Sequence, residues 1–132
     1  MIEEKDILGG LSLSEYKTIF IKLIKESQPQ MIGFMKKVEE TDNFEKLYNL
    51  CNGATINYNN IVICKILEKD DLSFEQLKKL HYVRKRKMFK EIILLRMLKK
   101  TENPENLLWI MKVSKSNSAI WEEANNLLEI KA

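Results

Sequence analysis

Turn-forming residues are scarce in this chain, with four Gly and two Pro among 132 residues. A sandwich or barrel of many short strands needs more of them, so those folds are excluded first. Cysteine is nearly as rare. Cys51 and Cys64 sit in no CxxC or His-rich spacing, so neither a disulfide framework nor a zinc site is expected. His81 is the only histidine, which leaves little material for acid–base chemistry. No glycine-rich phosphate loop, GxSxG elbow, HExxH pair or DxDxDG loop occurs. The expectation is therefore a non-enzymatic protein with no catalytic residue, no metal ligand and no cofactor. No apolar run approaches the roughly 20 residues that cross a bilayer; the longest extends only from Leu107 to Met111. The opening MIEEKDILGG is acidic and lacks the basic and apolar segments of a secretory signal. A cytoplasmic location follows as the expectation, with reduced, half-buried thiols and no membrane partner.

What the chain has is apolar residues at helical spacing. Hydrophobic residues make up 45% and charged residues 31%, close to globular averages. Three segments align without gaps when shifted by thirty: NFEKLYNLC from Asn43, SFEQLKKLH from Ser73 and NPENLLWIM from Asn103. Each begins with a residue whose side chain can accept a hydrogen bond from an orphan N–H of a first helical turn. Pro104 suits the first helical position, where a missing N–H costs nothing. Glu45, Glu75 and Glu105 place negative charge at the positive end of the helix dipole. Leu47, Leu77 and Leu107 then recur, followed three residues later by Leu50, Leu80 and Ile110, which predicts one buried stripe. A more degenerate copy begins at Ser12, where Glu15 completes a capping box and Tyr16 and Ile19 take the leucine positions.

Second helices are predicted over about Pro29–Glu40, Tyr58–Glu68, Val83–Lys100 and Ser118–Ile130. Their inward positions include Ile32, Met35 and Val38 in the first, and Ile92, Ile93 and Met97 in the third. Gly53 suits a helix C-terminus. Around His81 to Lys85 no breaker occurs, so two helices there are either joined very tightly or continuous. The expected architecture is all-α: one domain over 1–132 with units 12–42, 43–72, 73–102 and 103–132. These units form about four antiparallel helix pairs, stacked as a short right-handed α-solenoid or a compact helical bundle.

The motif Asn103-Pro104-Glu105-x-Leu107-Leu108, with a Ser/Asn-rich turn and a second short helix after it, resembles one unit of a HEAT-like repeat. The similarity is greatest to shorter bacterial variants of about thirty residues. The usual second-helix pattern, an Arg followed by small residues, is replaced here by Ile61-Val62-Ile63 and Ile92-Ile93-Leu94-Leu95. The resemblance implies a curved stack of helix pairs used as a binding surface.

Charge is distributed unevenly. From Ser73 to Glu102 ten basic residues face three acidic ones, a balance of +7, so the remainder carries −4 of the formal +3. All three arginines lie in this segment. Such a field steers anionic partners. The candidate binding residues are Lys79, Tyr82, Arg84, Lys85, Arg86, Lys87 and Lys90, with Arg84, Arg86, Lys87 and Lys90 expected to form one exposed, contiguous positive face. Phe89 is expected in the core, because it precedes Ile92 and Ile93 at inward-face spacing. The expected partner is another, acidic protein, the chain acting as a small adaptor, inhibitor or immunity-type module. Nucleic acid is the alternative, with phosphates on the basic residues and a base on Tyr82.

Overall fold

A computed structural model describes residues 2–131. These residues form nine α-helices and one 3₁₀ turn, with no strand among them. The helices are α1 (Glu4–Ile7), α2 (Leu13–Ser27), α3 (Ile32–Glu39), α4 (Phe44–Cys51) and α5 (Ile56–Leu67). They continue with α6 (Phe74–Val83), α7 (Lys87–Lys100), α8 (Pro104–Val113) and α9 (Ala119–Lys131). The 3₁₀ turn, Pro29–Met31, leads into α3.

The helix starts follow from side-chain chemistry at the caps. Ser12 Oγ accepts from the Glu15 N–H at 3.1 Å, and the Glu15 carboxylate accepts from the Ser12 N–H at 3.0 Å. Ser73 and Gln76 make the same reciprocal pair at 3.1 and 3.0 Å. Asn43 Oδ1 takes the Lys46 N–H at 3.1 Å, and Asn103 Oδ1 takes the Glu105 N–H at 2.8 Å. All three residues aligned at thirty-residue intervals therefore start helices, as does Ser12. Gly53 adopts a left-handed backbone just beyond α4, with φ +78°, a conformation that costs glycine nothing.

From α4 onward the helices pack most extensively in successive pairs: α4 on α5, α6 on α7, and α8 on α9. The segment before α4 differs. The contacts of α2 go to the 3₁₀ turn and to α5, and α3 also packs on α5. Tyr16 carries α2 onward to α7, its ring meeting the edge of Phe89 at 6.0 Å. Phe89 is fully buried, as its spacing predicts.

The inner layer holds Leu47, Leu77, Leu80, Leu107 and Ile110, all buried. Leu50 departs from expectation and is only half-buried, because the buried stripe of α4 runs through Phe44, Leu47 and Cys51. Ile19 and Ile32 also depart, lying exposed at 48% and 46%. Met35 and Val38 are buried as expected, and Ile24 and Met31 take the buried places of Ile19 and Ile32, so the inward stripe of α2 and α3 is rotated from the expected one. The second helices are the centre of the molecule. In α5 every residue from Asn59 to Cys64 is buried, and in α7 every residue from Ile92 to Leu95. A helix buried on consecutive positions is covered on all sides.

Leu77→Ala removes a fully buried side chain and should cost about 2–5 kcal/mol. Ser73→Ala should cost about 1 kcal/mol, since a first-turn N–H loses its acceptor. Chemical denaturation measures both. A Leu77→Ala protein as stable as the parent would contradict this packing.

Candidate binding surface at the α6–α7 joint

The basic segment is shaped by a break that the local sequence does not announce. Helix α6 ends at Val83 and α7 begins at Lys87, with Arg84 and Arg86 in extended backbone conformations. The predicted second helix from Val83 therefore starts four residues late. The cause is Asn59, fully buried on α5. Its Nδ2 donates to the Val83 carbonyl at 3.0 Å and its Oδ1 accepts from the Lys85 N–H at 3.1 Å. One amide thus satisfies a carbonyl and an N–H freed by the break, groups that are costly to leave unpaired when buried.

The structure sorts the predicted site residues into two groups. Lys85, Arg86 and Lys87 are exposed. Arg84 and Lys90 are only half-buried rather than open, a correction to the expected exposed face. Arg84 Nε is enclosed without a hydrogen-bond partner, and burial lowers the guanidinium pKa from its ordinary value. The Lys90 ammonium is lowered too, first by burial and then by the charges of Arg84 and Lys87, with Glu91 opposing. Arg84 and Lys90 also act on His81, whose pKa is pushed down to about 4, with burial the largest cause. Three cations and a neutral histidine therefore share one neighbourhood. Among the described residues no ion pair joins any of the five cations from Arg84 to Lys90 to a carboxylate.

The other basic residues are occupied. Lys79 reaches toward α4, where its Nζ meets Glu45 at 3.3 Å and lies 5.2 Å from the Tyr48 ring centre. These contacts set it apart from the joint. Arg96 donates to the Leu67 and Lys69 carbonyls at 2.7 and 3.2 Å, and grips both carboxylate oxygens of Glu4 at 2.8 and 3.1 Å. It completes the C-terminus of α5, whose last carbonyls lack partners within the helix, and ties α1 to α7. Lys100 donates to the Asp70 carbonyl at 3.3 Å.

Aromatic rings flank the joint. Tyr82 is 67% exposed, and Trp109 of α8 comes within 6.2 Å of it, centre to centre. His81 lies between the two, at 5.4 Å from Tyr82 and 5.2 Å from Trp109. Lys78 sits over the Trp109 ring at 4.9 Å, a cation–π contact. Trp109 and Lys78 escaped the sequence reading as site residues, because nothing local places α8 beside the end of α6.

Cys51 and Cys64 are both buried and unpaired, and burial pushes each thiol up to about 12. Both stay protonated at neutral pH, whereas nucleophilic and metal-binding chemistry requires the thiolate. Among the described residues no group of three or more His, Cys, Asp or Glu converges on a metal position. No protein-family model matches this chain, and neither does a curated protein or a solved structure.

Replacing Asn59 with Leu leaves the Val83 carbonyl and Lys85 N–H without partners and should destabilise the fold. Asn60, equally buried but with neither side-chain polar atom hydrogen-bonded, should tolerate the same change or gain from it. Unpartnered buried amides carry a desolvation penalty of about 1–3 kcal/mol. Equal thermal shifts for the two variants would remove the special role of Asn59. For His81 the sign is that of a lowered base: both states are neutral above about pH 6.5, and below it only the unfolded chain takes up a proton until about pH 4. Stability should therefore fall as pH drops through this window, and His81→Gln should flatten the fall between pH 6.5 and about 5, above the carboxylate range.

Proposed function

We propose that this protein is a non-enzymatic interaction module, built of HEAT-like units, that binds an acidic partner protein through the α6–α7 joint. The observation that carries the reading is the crowding of Arg84, Lys87 and Lys90, which among the described residues form no ion pair, Glu91 acting on Lys90 through space alone. Like charges held together and partly desolvated raise the energy of the folded state. Lys87 and Lys90 also stand at the positive end of the α7 dipole, where cations are disfavoured. Only Arg84 and Lys85, at the C-terminal end of α6, gain from helix polarity. A protein that had merely to be solvated could place these charges elsewhere at lower cost. An anionic surface docked here supplies the missing counter-charge, and electrostatic complementarity of this kind speeds and orients association. The repeat reading is supported by the evenly spaced caps at Asn43, Ser73 and Asn103, each opening a helix that packs on its successor.

A second reading has its own support. Tyr82 is 67% exposed beside Trp109, and an open ring next to cations suits a stacked base of single-stranded nucleic acid.

The test compares an acidic polypeptide, poly-glutamate, with a single-stranded oligonucleotide of matched length. Poly-glutamate should bind, and Arg84→Glu, Arg86→Glu and Lys87→Glu together should abolish binding while helicity and Tm stay nearly unchanged. Preferential oligonucleotide binding, lost in Tyr82→Ala and falling steeply with salt, would move the assignment to the second reading. If neither polyanion binds, the charges serve solvation and the proposal fails.

A further inference from the structure

Beyond this broad face, the start of α7 borders a small cavity of about 120 Å³ against the α8–α9 joint. Its polar wall consists of Lys87 and Lys90 from α7 with Ser114, Lys115 and Ser118 from the joint, over an apolar floor that includes Leu94 and Ile120. Space of this size holds several waters or one tetrahedral oxyanion.

The charges of the wall do not balance. Three ammonium groups line it against one carboxylate, that of Glu91, leaving +2. Among the described residues none of the three lysines is ion-paired. Burial already works against the charge of Lys90, and Arg84 and Lys87 add to the strain. The Ser114 hydroxyl already donates to the Met111 carbonyl at 3.3 Å, whereas the Ser118 hydroxyl can donate toward an anion while its Oγ accepts from the Trp121 N–H at 3.3 Å. The same serine opens α9, where its carbonyl takes the Glu122 N–H at 2.9 Å. First-turn N–H groups of a helix lack partners within it, and Ala119 and Ile120 bring that turn to the cavity. We infer that this cavity is a binding site for a phosphate dianion, either inorganic phosphate or the terminal group of a phosphomonoester. Lys90 from α7 and Lys115 from the α8–α9 joint close on it, and Ser118 donates to its oxygens. The +2 wall matches a dianion rather than the single charge of a phosphodiester, so a nucleic-acid backbone is the poorer fit.

Titration of the whole protein with inorganic phosphate tests this, followed by amide shifts of Ser118, Ala119 and Ile120 and by the ³¹P signal. Saturable shifts confined to those residues and to Lys87–Glu91 are expected, with chloride at equal ionic strength producing none. Lys115→Gln, on an exposed joint residue, should weaken binding by roughly tenfold or more, and Ser118→Ala supplies a second reading should Lys115 act only through charge. Phosphoserine amide separates the sources: binding tighter than inorganic phosphate assigns a phosphorylated ligand, and weaker binding assigns the free ion. The site shares Lys87 and Lys90 with the proposed partner surface but does not depend on that reading. Arg84→Glu with Arg86→Glu should impair poly-glutamate binding and spare phosphate, and Lys115→Gln should do the reverse. No saturable phosphate response, or one unchanged in both Lys115→Gln and Ser118→Ala, overturns the inference.

Discussion

The structure depends on the burial of the central turns of α5 and α7. Neither helix offers a broad polar face to solvent, so each must be covered by others, and the remaining helices are arranged to do this. Helices α4, α2 and α3 close around α5, while α6, α1, α8 and α9 close around α7. Burying a Leu or Ile side chain contributes about 1.5–3 kcal/mol, and these two helices bury a large share of such residues in the molecule. The same burial displaces charge. Lysine and arginine cannot occupy the middle of α7, so they gather in its first turn and its last, with Arg96 admitted between because Glu4 and two carbonyls receive it.

That displacement divides the basic third unit into two populations. Lys79, Arg96 and Lys100 hold neighbouring elements together. Among the described residues the cations from Arg84 to Lys90 form no ion pair, and Arg84 and Lys90 are drawn part-way out of water. Acidic residues are available elsewhere: Glu39, Glu68 and Asp42 surround Lys17 and Lys65, binding α2, the loop before α4 and α5 into one network. The fold thus pairs its charges in the network around Lys17 and Lys65 and, among the described residues, leaves those of the joint without an ion pair. The functional reading rests on this contrast.

The joint itself shows how a single buried polar group sets a surface. Asn59 stops α6 at Val83 and lets α7 restart at Lys87 in a new direction. Without it, the absence of Gly or Pro between His81 and Lys87 favours continuation of the helix. Arg84 and Lys85 would then sit on one turn of a continuous rod instead of on an extended corner beside the Tyr82 and Trp109 rings. Polarity in the core of α5 is therefore linked to the shape of a binding surface on another unit.

By itself the sequence determined the helical class, the starts of α2, α4, α6 and α8, and most of the inner layer. Caps at Ser12, Asn43, Ser73 and Asn103 act within one turn of their own position, and a stripe such as Leu77–Leu80 is fixed by helix periodicity, so both are local properties. The rotation of the first unit was not legible, because Ile32 and Met31 are equally apolar and only the position of α5 selects between them. Nor was the break at Arg84, whose cause stands some 25 residues earlier in the chain. The pairing of Tyr82 with Trp109, the enclosure of Arg84 and the cavity between Lys90 and Lys115 likewise join separate units. Hydrogen bonds and burial between distant segments have no signature in local pattern, and only the tertiary structure decided them.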